Sequence, residues 1–303
     1  MNILMNVIPK IVRFVKGIFF LPLNVLSNVN VMNRIDNKID LLNQKIDNLN
    51  KDLTKISEVC LHSSQCQEVS QSSKLKISSE ISNVFENHFL QIEALLSIYH
   101  SLPNIKYLPA TRGWAGSPDL LNKIVEIILK EKPRFVLEAG SGVSSVIIGL
   151  SLQMNQFGKA LSLDHDSYYA EITRDNLNLN GIEHFSTVKH CPIQDYTINE
   201  QIWKWYNTED LNFPEKIDVL VIDGPPRITQ ILARYPAIPL LHSFFADRVL
   251  ILLDDAKRDD EVITVEKWIM YLENNNFRIK VNNLDNFEKG MIILEVFRNI
   301  IKI

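Results

Sequence analysis

An alternation of short apolar runs and helical stretches begins near Pro133 and limits the fold more than any other feature. The runs RFVLEAG, KALSLDHD, STVKHC, IDVLVIDG and RVLILLDDA are rich in β-branched residues and end in polar residues or glycine. Helical stretches such as SSVIIGLSLQ and SYYAEITRDNLNL lie between most of them. Buried parallel strands joined by crossover helices produce this pattern. We therefore predict an α/β domain with a mostly parallel sheet.

The end of the chain departs from this alternation. FRIKVNNL and GMIILEVF are two further strand-like runs, joined by NFEKG without a helix between them. Two strands with a short connection pair antiparallel. A C-terminal antiparallel hairpin is therefore predicted to complete the sheet.

The first 27 residues are apolar but carry three basic residues, Lys10, Arg13 and Lys16, and no acid appears before Asp36. These charges interrupt the run of about 20 apolar residues that a spanning helix needs. Basic residues in an apolar, aromatic segment favour an amphipathic helix lying in the interface of an anionic membrane. A helix packed on the protein itself is the alternative.

Residues 28–60 follow a seven-residue repeat. Apolar residues occupy two positions of each heptad, which is typical of a parallel two-stranded coiled coil and predicts a dimer; they are Met32, Ile35, Ile39, Leu42, Ile46, Leu49, Leu53, Ile56 and Cys60. A single amphipathic helix packed within the chain is the alternative. Residues 61–80 are rich in Ser and Gln and are predicted to be a linker. Residues 81–303 form the predicted catalytic domain.

Charge and cysteine content exclude several classes of protein. The net charge is −4, and residues 1–60 carry 8 Lys and Arg against 5 Asp and Glu, so the remainder is acidic. An acidic body argues against a nucleic-acid partner. The three cysteines have no metal-ligand spacing, which argues against a zinc site and a disulfide framework. A cytoplasmic protein, with peripheral contact at the inner face of the membrane, is predicted.

Ligands of open α/β sheets bind beyond the carboxyl ends of the strands. The first strand ends in Glu138-Ala139-Gly140-Ser141-Gly142, where two glycines allow close approach of a ligand. A dinucleotide motif would have a third glycine where Ser145 stands, and Glu138 would repel a pyrophosphate. A ligand that carries a sulfonium and an ammonium group would be attracted by the same carboxylate.

The second strand ends in Asp164, His165 and Asp166. Asp164 is placed to accept hydrogen bonds from the ribose hydroxyls of an adenosine, as acids do at this position in dinucleotide enzymes. Asp166 is predicted to cap the following helix. His165 is a candidate catalytic residue, with a purely structural role as the alternative.

Two later strands also end in carboxylates: Asp223 on one, and Asp254 followed by Asp255 on the other. Such neighbouring acids repel one another unless they are compensated. A hard cation such as Mg²⁺ would compensate them. The alternative is that one acid contacts the cofactor, one caps a helix, and Arg234, Lys257 or Arg258 neutralise the rest.

Taken together, EAGSGVSS, SLDHDSYYAEITRDNL, IDVLVIDGPP, ARYPAIPLL and LLDDAKRDDE resemble a bacterial class I methyltransferase family that is often encoded beside glycan-assembly genes. The stretch from Gln91 to Leu121 and the later WKWYN resemble the same family, and the likeness covers about residues 88–295. It implies a Rossmann-like sheet of seven strands, S-adenosylmethionine as cofactor and methyl transfer, with O-methylation of a glycan or glycan precursor as the expected reaction.

The resemblance also implies roles for individual residues. The methionine end of the cofactor would lie against the first strand and its loop, the ribose on Asp164 and the adenine near Ile193; the implied cofactor residues are Glu138, Gly140, Gly142, Ser144, Asp164, Ile193 and Asp223. The acids are similar to the metal site of catechol-type and macrocin-type O-methyltransferases, which implies Asp223, Asp254 and Asp255 as Mg²⁺ ligands. The loops GPPRITQ and AKRDDE differ from those enzymes.

Methyl transfer needs a base near the acceptor, and Asp223, Asp255 and His165 are the candidates. Trp114 and the pair Trp205-Tyr206 are candidates for covering the cofactor or a sugar ring. A non-catalytic scaffold that keeps the fold and assembles partners through the coiled coil is the alternative function.

Overall fold

The computed structural model describes residues 64–209, 211 and 213–299, together with residues 44 and 51. Seven strands form one sheet in the order β3-β2-β1-β6-β7-β9-β8. The strands are β1 (Phe135–Ala139), β2 (Lys159–Asp164), β3 (Ser186–His190), β6 (Ile217–Ile222), β7 (Phe245–Asp254), β8 (Phe277–Leu284) and β9 (Met291–Arg298). The first five of these pair in parallel, and β9 pairs antiparallel with both β7 and β8. The predicted Rossmann-like sheet and its C-terminal hairpin are confirmed.

The described α-helices are α1 (Ser64–Ser101), α2 (Pro118–Glu131), α3 (Val143–Asn155), α4 (Ser167–Asn180), α5 (Ala237–Leu241) and α6 (Asp259–Asn274). As the alternation predicts, α3, α4 and α5 connect parallel strands, whereas α1 and α2 precede β1 and α6 leads into β8. The stretch TQILARYPAIPLLHSFF, residues 229–245, also predicts a helix from its sequence, but the structure is less helical there. Pro236 and Pro239 lie within it, and only the five residues of α5 form an α-helix there.

The core lies against the central strands. Every residue of β1 is buried, and β6 is buried at all but one position. These strands read as continuous apolar runs because parallel strands are covered on both faces. Glu138 interrupts the run in β1, and a carboxylate in such a place needs partners or a proton.

A second, two-stranded sheet was not predicted. It consists of β4 (Ile193–Ile198) and β5 (Gln201–Tyr206), which pair antiparallel and take the place of a crossover helix before β6. The two residues between the strands, Asn199 and Glu200, both have positive φ, of 48° and 62°. A two-residue type I′ turn requires this conformation and usually has Asn-Gly. Because the turn residues are Asn-Glu instead of Asn-Gly, the sequence does not indicate this turn, and the hairpin was not predicted.

The structure also corrects the expectation of an irregular linker. Residues 64–80 of the predicted linker form the first part of α1. No Gly or Pro occurs from Leu61 to Leu102, so helix formation continues through the Ser- and Gln-rich stretch until the approach to Pro103.

The predicted amphipathic segment 1–27 lies outside the described residues. So does the predicted coiled coil 28–60, apart from Gln44 and Lys51. In the part of the chain that the structure describes, no helix is long and apolar enough to cross a membrane.

Candidate active site

The carboxyl ends of β2, β1, β6 and β7 lie side by side at one edge of the sheet, because these four strands are adjacent and parallel. The loop Gly140–Gly142, called the glycine loop below, leads from β1 into α3. Gly142 has φ 149°, a conformation that side chains rarely adopt. Val143, the first residue of α3, follows directly, so the free N–H groups of a helix start face this edge.

Glu138, in β1, is connected to the glycine loop through the side chain of Ser145. Its side chain is fully buried, and Oε2 accepts hydrogen bonds from Ser145 Oγ (2.6 Å) and Ser162 Oγ (2.5 Å). Ser145 Oγ in turn accepts from the N–H of Gly142 at 3.1 Å. Burial raises the pKa of Glu138, and the serine hydroxyls, including that of Ser144, act against this rise. Oε1 has no partner among the described residues.

Asp164 holds the same loop from the neighbouring strand. Its Oδ2 accepts from Ser141 Oγ at 2.5 Å, and its Oδ1 accepts from the N–H of Asp166 at 2.9 Å. Asp166 caps α4 by accepting from the N–H of Tyr168, as predicted. Asp164 and Glu138 thus bracket the glycine loop from two adjacent strands, and each strand end was identified correctly from the sequence.

His165 and Ile193 lie on the β2 side of this edge. His165 is partly exposed, with Nδ1 at 3.6 Å from Asp164 Oδ1. No hydrogen bond or ion pair within the described chain joins it to Asp223 or Asp255. Ile193 begins β4 opposite Tyr206, and Cys191, two residues earlier, donates its N–H to the Asp164 carbonyl at 2.6 Å. The structure therefore groups these two residues with Asp164.

The other carboxylates form an acid cluster, which comprises Asp223, Asp254, Asp255 and Glu261 around Arg234. One Nη atom of Arg234 donates to Asp255 Oδ2 (2.8 Å) and Asp223 Oδ1 (3.2 Å). The guanidinium also donates to the carbonyls of Asp223 (2.8 Å) and Asp254 (2.7 Å), and Nε lies 3.5 Å from Glu261 Oε1. Arg234 is 3% exposed, so these contacts form in a medium of low dielectric constant, where they are strong.

Burial and mutual repulsion set the protonation of this cluster. The pKa of Asp223 rises to about 6, because burial outweighs the attraction of Arg234. The pKa of Asp254 rises to about 8, because burial acts together with the charges of Asp223 and Asp255. Asp223 is thus the stronger acid of the two, and Asp254 keeps its proton to higher pH, so the two acids suit different tasks.

Two of the three predicted Mg²⁺ ligands, Asp223 and Asp254, suit a hard cation, whereas the third, Asp255, is already paired with arginines. One oxygen each of Asp223, Asp254 and Asp255 lies within 4.8 Å of the others, close to the span of about 4–5 Å across an octahedral Mg²⁺ or a larger Ca²⁺. Oδ2 of Asp254 is buried without a hydrogen-bond partner among the described residues. Oδ2 of Asp255, in contrast, already accepts from Arg234 and Arg258, both at 2.8 Å.

Of the two sequence-based alternatives for compensating the acids, the structure shows part of the second, neutralisation by basic side chains. Arg234 and Arg258 neutralise the cluster as the second alternative expects. Lys257 does not, because its Nζ donates to the Phe287 carbonyl instead. The third cation is Lys289, with Nζ at 3.8 Å from Asp254 Oδ2. Lys289 lies in the connection between β8 and β9, and it reaches the cluster only when the sheet has formed, so the local sequence does not indicate this contact.

Tyr206 joins the two halves of the site. It is buried at the end of β5, and a β-carbon on Gly224 would overlap its hydroxyl oxygen, so Gly224 leaves the space that this hydroxyl fills. Burial raises its pKa well above the ordinary value, and the charges of Asp164 and Asp223 add to the rise. The phenol therefore keeps its proton, and it lies near carboxylates of both the glycine-loop side and the acid cluster. Its indole neighbour Trp205 is fully buried in the core, which agrees with packing rather than with a lid.

Residues 137–256 match the family model Methyltransf_24, described as a methyltransferase domain. The matched stretch begins next to Glu138 and ends beyond Asp255, so it contains the glycine loop, Asp164 and three acids of the cluster. This match supports the predicted methyltransferase domain. No curated protein matches the chain.

Among solved structures, the chain is similar to a Klebsiella pneumoniae protein named only provisionally as an O-methyltransferase, with 17% identity, 71% of this chain and 96% of that chain covered, and a TM-score of 0.48. It is also similar to an O-methyltransferase from Bacillus cereus in complex with SAH, with 14% identity, 68% of this chain and 91% of that chain covered, and a TM-score of 0.46. A third is the O-methyltransferase TomG from Streptomyces achromogenes in complex with SAM, with 12% identity, 67% and 90% coverage, and a TM-score of 0.45. Likenesses this distant carry no part of the functional argument below, which depends on the residues of the site.

Proposed function

We propose that the chain is an S-adenosylmethionine-dependent O-methyltransferase whose cofactor lies over the glycine loop. The observation that carries the proposal is the bracketing of this loop by Glu138 and Asp164 on adjacent strands. A sulfonium donor presents a cationic methionine end and two ribose hydroxyls. Buried acids at the ends of β1 and β2 attract the former and accept hydrogen bonds from the latter. The match to a methyltransferase domain over residues 137–256 supports the same assignment.

Methyl transfer from a sulfonium is an in-line displacement, and the protein mainly positions the acceptor oxygen and takes up its proton. Asp223 is the proposed base. Its side chain is 20% exposed at the open edge of the sheet, and its pKa of about 6 makes it a stronger base than an ordinary aspartate while it stays ionised at neutral pH. Arg234 fixes Asp223 through its carbonyl and one carboxylate oxygen, which keeps the other oxygen available.

Asp255 is proposed to position Arg234 rather than to act as the base, since two guanidinium groups hold its Oδ2. If Mg²⁺ binds, Asp254 and Asp223 would hold it, with Asp255 as the predicted third ligand, and Asp223 would then serve as a ligand instead of as the base. When bound, the cation would lower the pKa of an acceptor hydroxyl and orient it. Asp254 must lose its proton to bind a cation, so a bound Mg²⁺ would lower its pKa from about 8.

The acceptor is proposed to be a glycan or glycan precursor, which rests on the resemblance described from the sequence. The dimer formed through residues 28–60 and the contact of residues 1–27 with the inner face of a cytoplasmic membrane are proposals that accompany it. Such a tether would bring the enzyme to lipid-linked acceptors.

A methyl-transfer assay with labelled S-adenosylmethionine and a panel of polysaccharide precursors tests this function. We expect label in at least one acceptor, and a loss of kcat of about 10²–10⁴-fold in Asp223→Asn, because the base is removed. Asp260→Asn is the matched control, since Asp260 pairs with the exposed Arg227 and forms no ion pair with Arg234 in the described chain. Cofactor binding without transfer to any acceptor would favour the non-catalytic scaffold instead.

A further inference from the structure

Trp114 is exposed to an extent that is unusual for the largest side chain. It is 92% exposed, whereas Trp205 and Trp268 are fully buried and Trp203 is partly buried. An exposed indole contributes almost nothing to the core, and its apolar surface remains in water. The position therefore calls for an explanation other than packing.

The loop that carries Trp114, residues 109–117, is fixed firmly without help from the indole. Arg112 forms a forked ion pair with Glu288, with contacts of 2.5, 2.9 and 3.1 Å. The Arg112 N–H donates to the Gly116 carbonyl at 3.2 Å, which closes a tight turn around Trp114. A rigid loop that presents an aromatic ring costs little conformational entropy when a ligand binds.

The same loop is tied to the acid cluster. Nζ of Lys289 donates to the Ala115 carbonyl at 3.1 Å and lies 3.8 Å from Asp254 Oδ2. One side chain thus joins the residue after Trp114 to the proposed acceptor side of the site. On the loop that follows Asp223, Ile228 and Ile231 are also exposed, at 91% and 78%. Loops attached to both ends of the cluster therefore offer apolar surface to solvent.

We infer that Trp114 is the platform on which a pyranose ring of the acceptor stacks. A sugar ring has an apolar C–H face that suits an indole and hydroxyls that suit charged groups, and the anchors of Trp114, namely Arg112, Glu288 and Lys289, are charged. A lipid chain would instead require a continuous apolar groove. This inference rests on the proposed function for the identity of the acceptor, but stacking itself is measurable without catalysis.

Fluorine NMR of the full chain labelled with fluorotryptophan tests the platform. The probes are methyl pyranosides of the common sugar configurations, up to about 100 mM, because one stacked ring binds weakly. We expect the resonance assigned to Trp114 by Trp114→Phe to shift with at least one pyranoside, while the other three stay unchanged. No shift with any pyranoside, or a shift only with vesicles of anionic phospholipid, would overturn the inference.

A kinetic comparison adds a second test once an acceptor is known. Trp114→Ala should raise the acceptor KM about threefold to tenfold and leave cofactor binding unchanged, and Trp114→Tyr should restore most of the loss. Phe157→Ala is the matched control, because Phe157 is an exposed aromatic before β2, at the opposite edge of the sheet. An unchanged KM in Trp114→Ala refutes the platform even if methyl transfer is established. A shifted Trp114 resonance without cofactor binding refutes the proposed function alone.

Discussion

Replacing Arg234 by Met removes the cation that holds the acid cluster together, and we expect a loss of about 3–5 kcal/mol in the free energy of unfolding at pH 7.5. The guanidinium is 3% exposed and donates to two carboxylates and two carbonyls. Removing one partner of a buried ion pair costs this much because the remaining charges stay buried without compensation. Arg234→Lys keeps the positive charge but not the forked guanidinium that donates to several acceptors. We therefore expect a smaller loss in the free energy of unfolding, about 1–3 kcal/mol.

The loss should depend on pH in a definite direction. Arg234 lowers the pKa of Asp223, so without it the carboxyls of the cluster take up protons at higher pH. The folded variant then binds more protons than the folded wild type, and its deficit shrinks as the pH falls from 7.5 to 5. Urea unfolding followed by circular dichroism at both pH values measures this change.

Arg227→Met is the control, because Arg227 forms an exposed ion pair with Asp260 and should cost less than about 1 kcal/mol. A deficit of less than about 1 kcal/mol for Arg234→Met at pH 7.5, or one that grows as the pH falls, would refute the reasoning.

Three other changes address the remaining parts of the site. The raised pKa of Asp254 (about 8) makes the wild type lose stability as the pH rises from about 4 to 8, because the folded state keeps a proton that the unfolded state has lost. The free energy of unfolding of Asp254→Asn should therefore rise relative to that of wild type by up to about 1.4 kcal/mol per pH unit in this window. Urea unfolding measures it, and the same pH dependence in both proteins would contradict the prediction. Metal removal with a chelator should lower kcat and Mg²⁺ should restore it; activity that is indifferent to both would leave Arg234 and Arg258 as the compensating charges. Tyr206→Phe should reduce kcat about tenfold with less than about 1 kcal/mol change in stability, since only a hydroxyl near Asp164 and Asp223 is lost; an unchanged kcat would show that this hydroxyl positions neither carboxylate.

The sequence was sufficient to identify the sheet and the acids at its edge, because both depend on local signals. A buried parallel strand is a short apolar run, and the residue that ends it is read directly from the chain, as with Asp164, Asp223 and Asp254. The cap of α4 by Asp166 is equally local. These features place the candidate cofactor and acceptor groups at one edge before any tertiary contact is known.

The missed features depend on contacts between distant parts of the chain. Lys289 and Glu261 reach the acid cluster only after β7, α6 and β9 have packed, and each looks like an ordinary charged residue in sequence. The β4–β5 hairpin was hidden because Glu200 takes a positive φ that glycine usually supplies. Tyr206 was predicted only as a cover for the cofactor or a sugar ring; its buried place had one available signal, the glycine at position 224 whose missing side chain makes room for its hydroxyl.

The central claim is that the edge formed by β1 and β2 binds S-adenosylmethionine. Titration calorimetry of wild type, Asp164→Asn and Asp166→Asn tests it most directly. We predict that wild type binds and that Asp164→Asn binds about tenfold to a hundredfold more weakly, because a charged acceptor for the ribose is lost. Asp166→Asn, which keeps the helix cap, should match wild type. No binding to wild type at millimolar cofactor, or equal affinities for the two variants, would contradict the account.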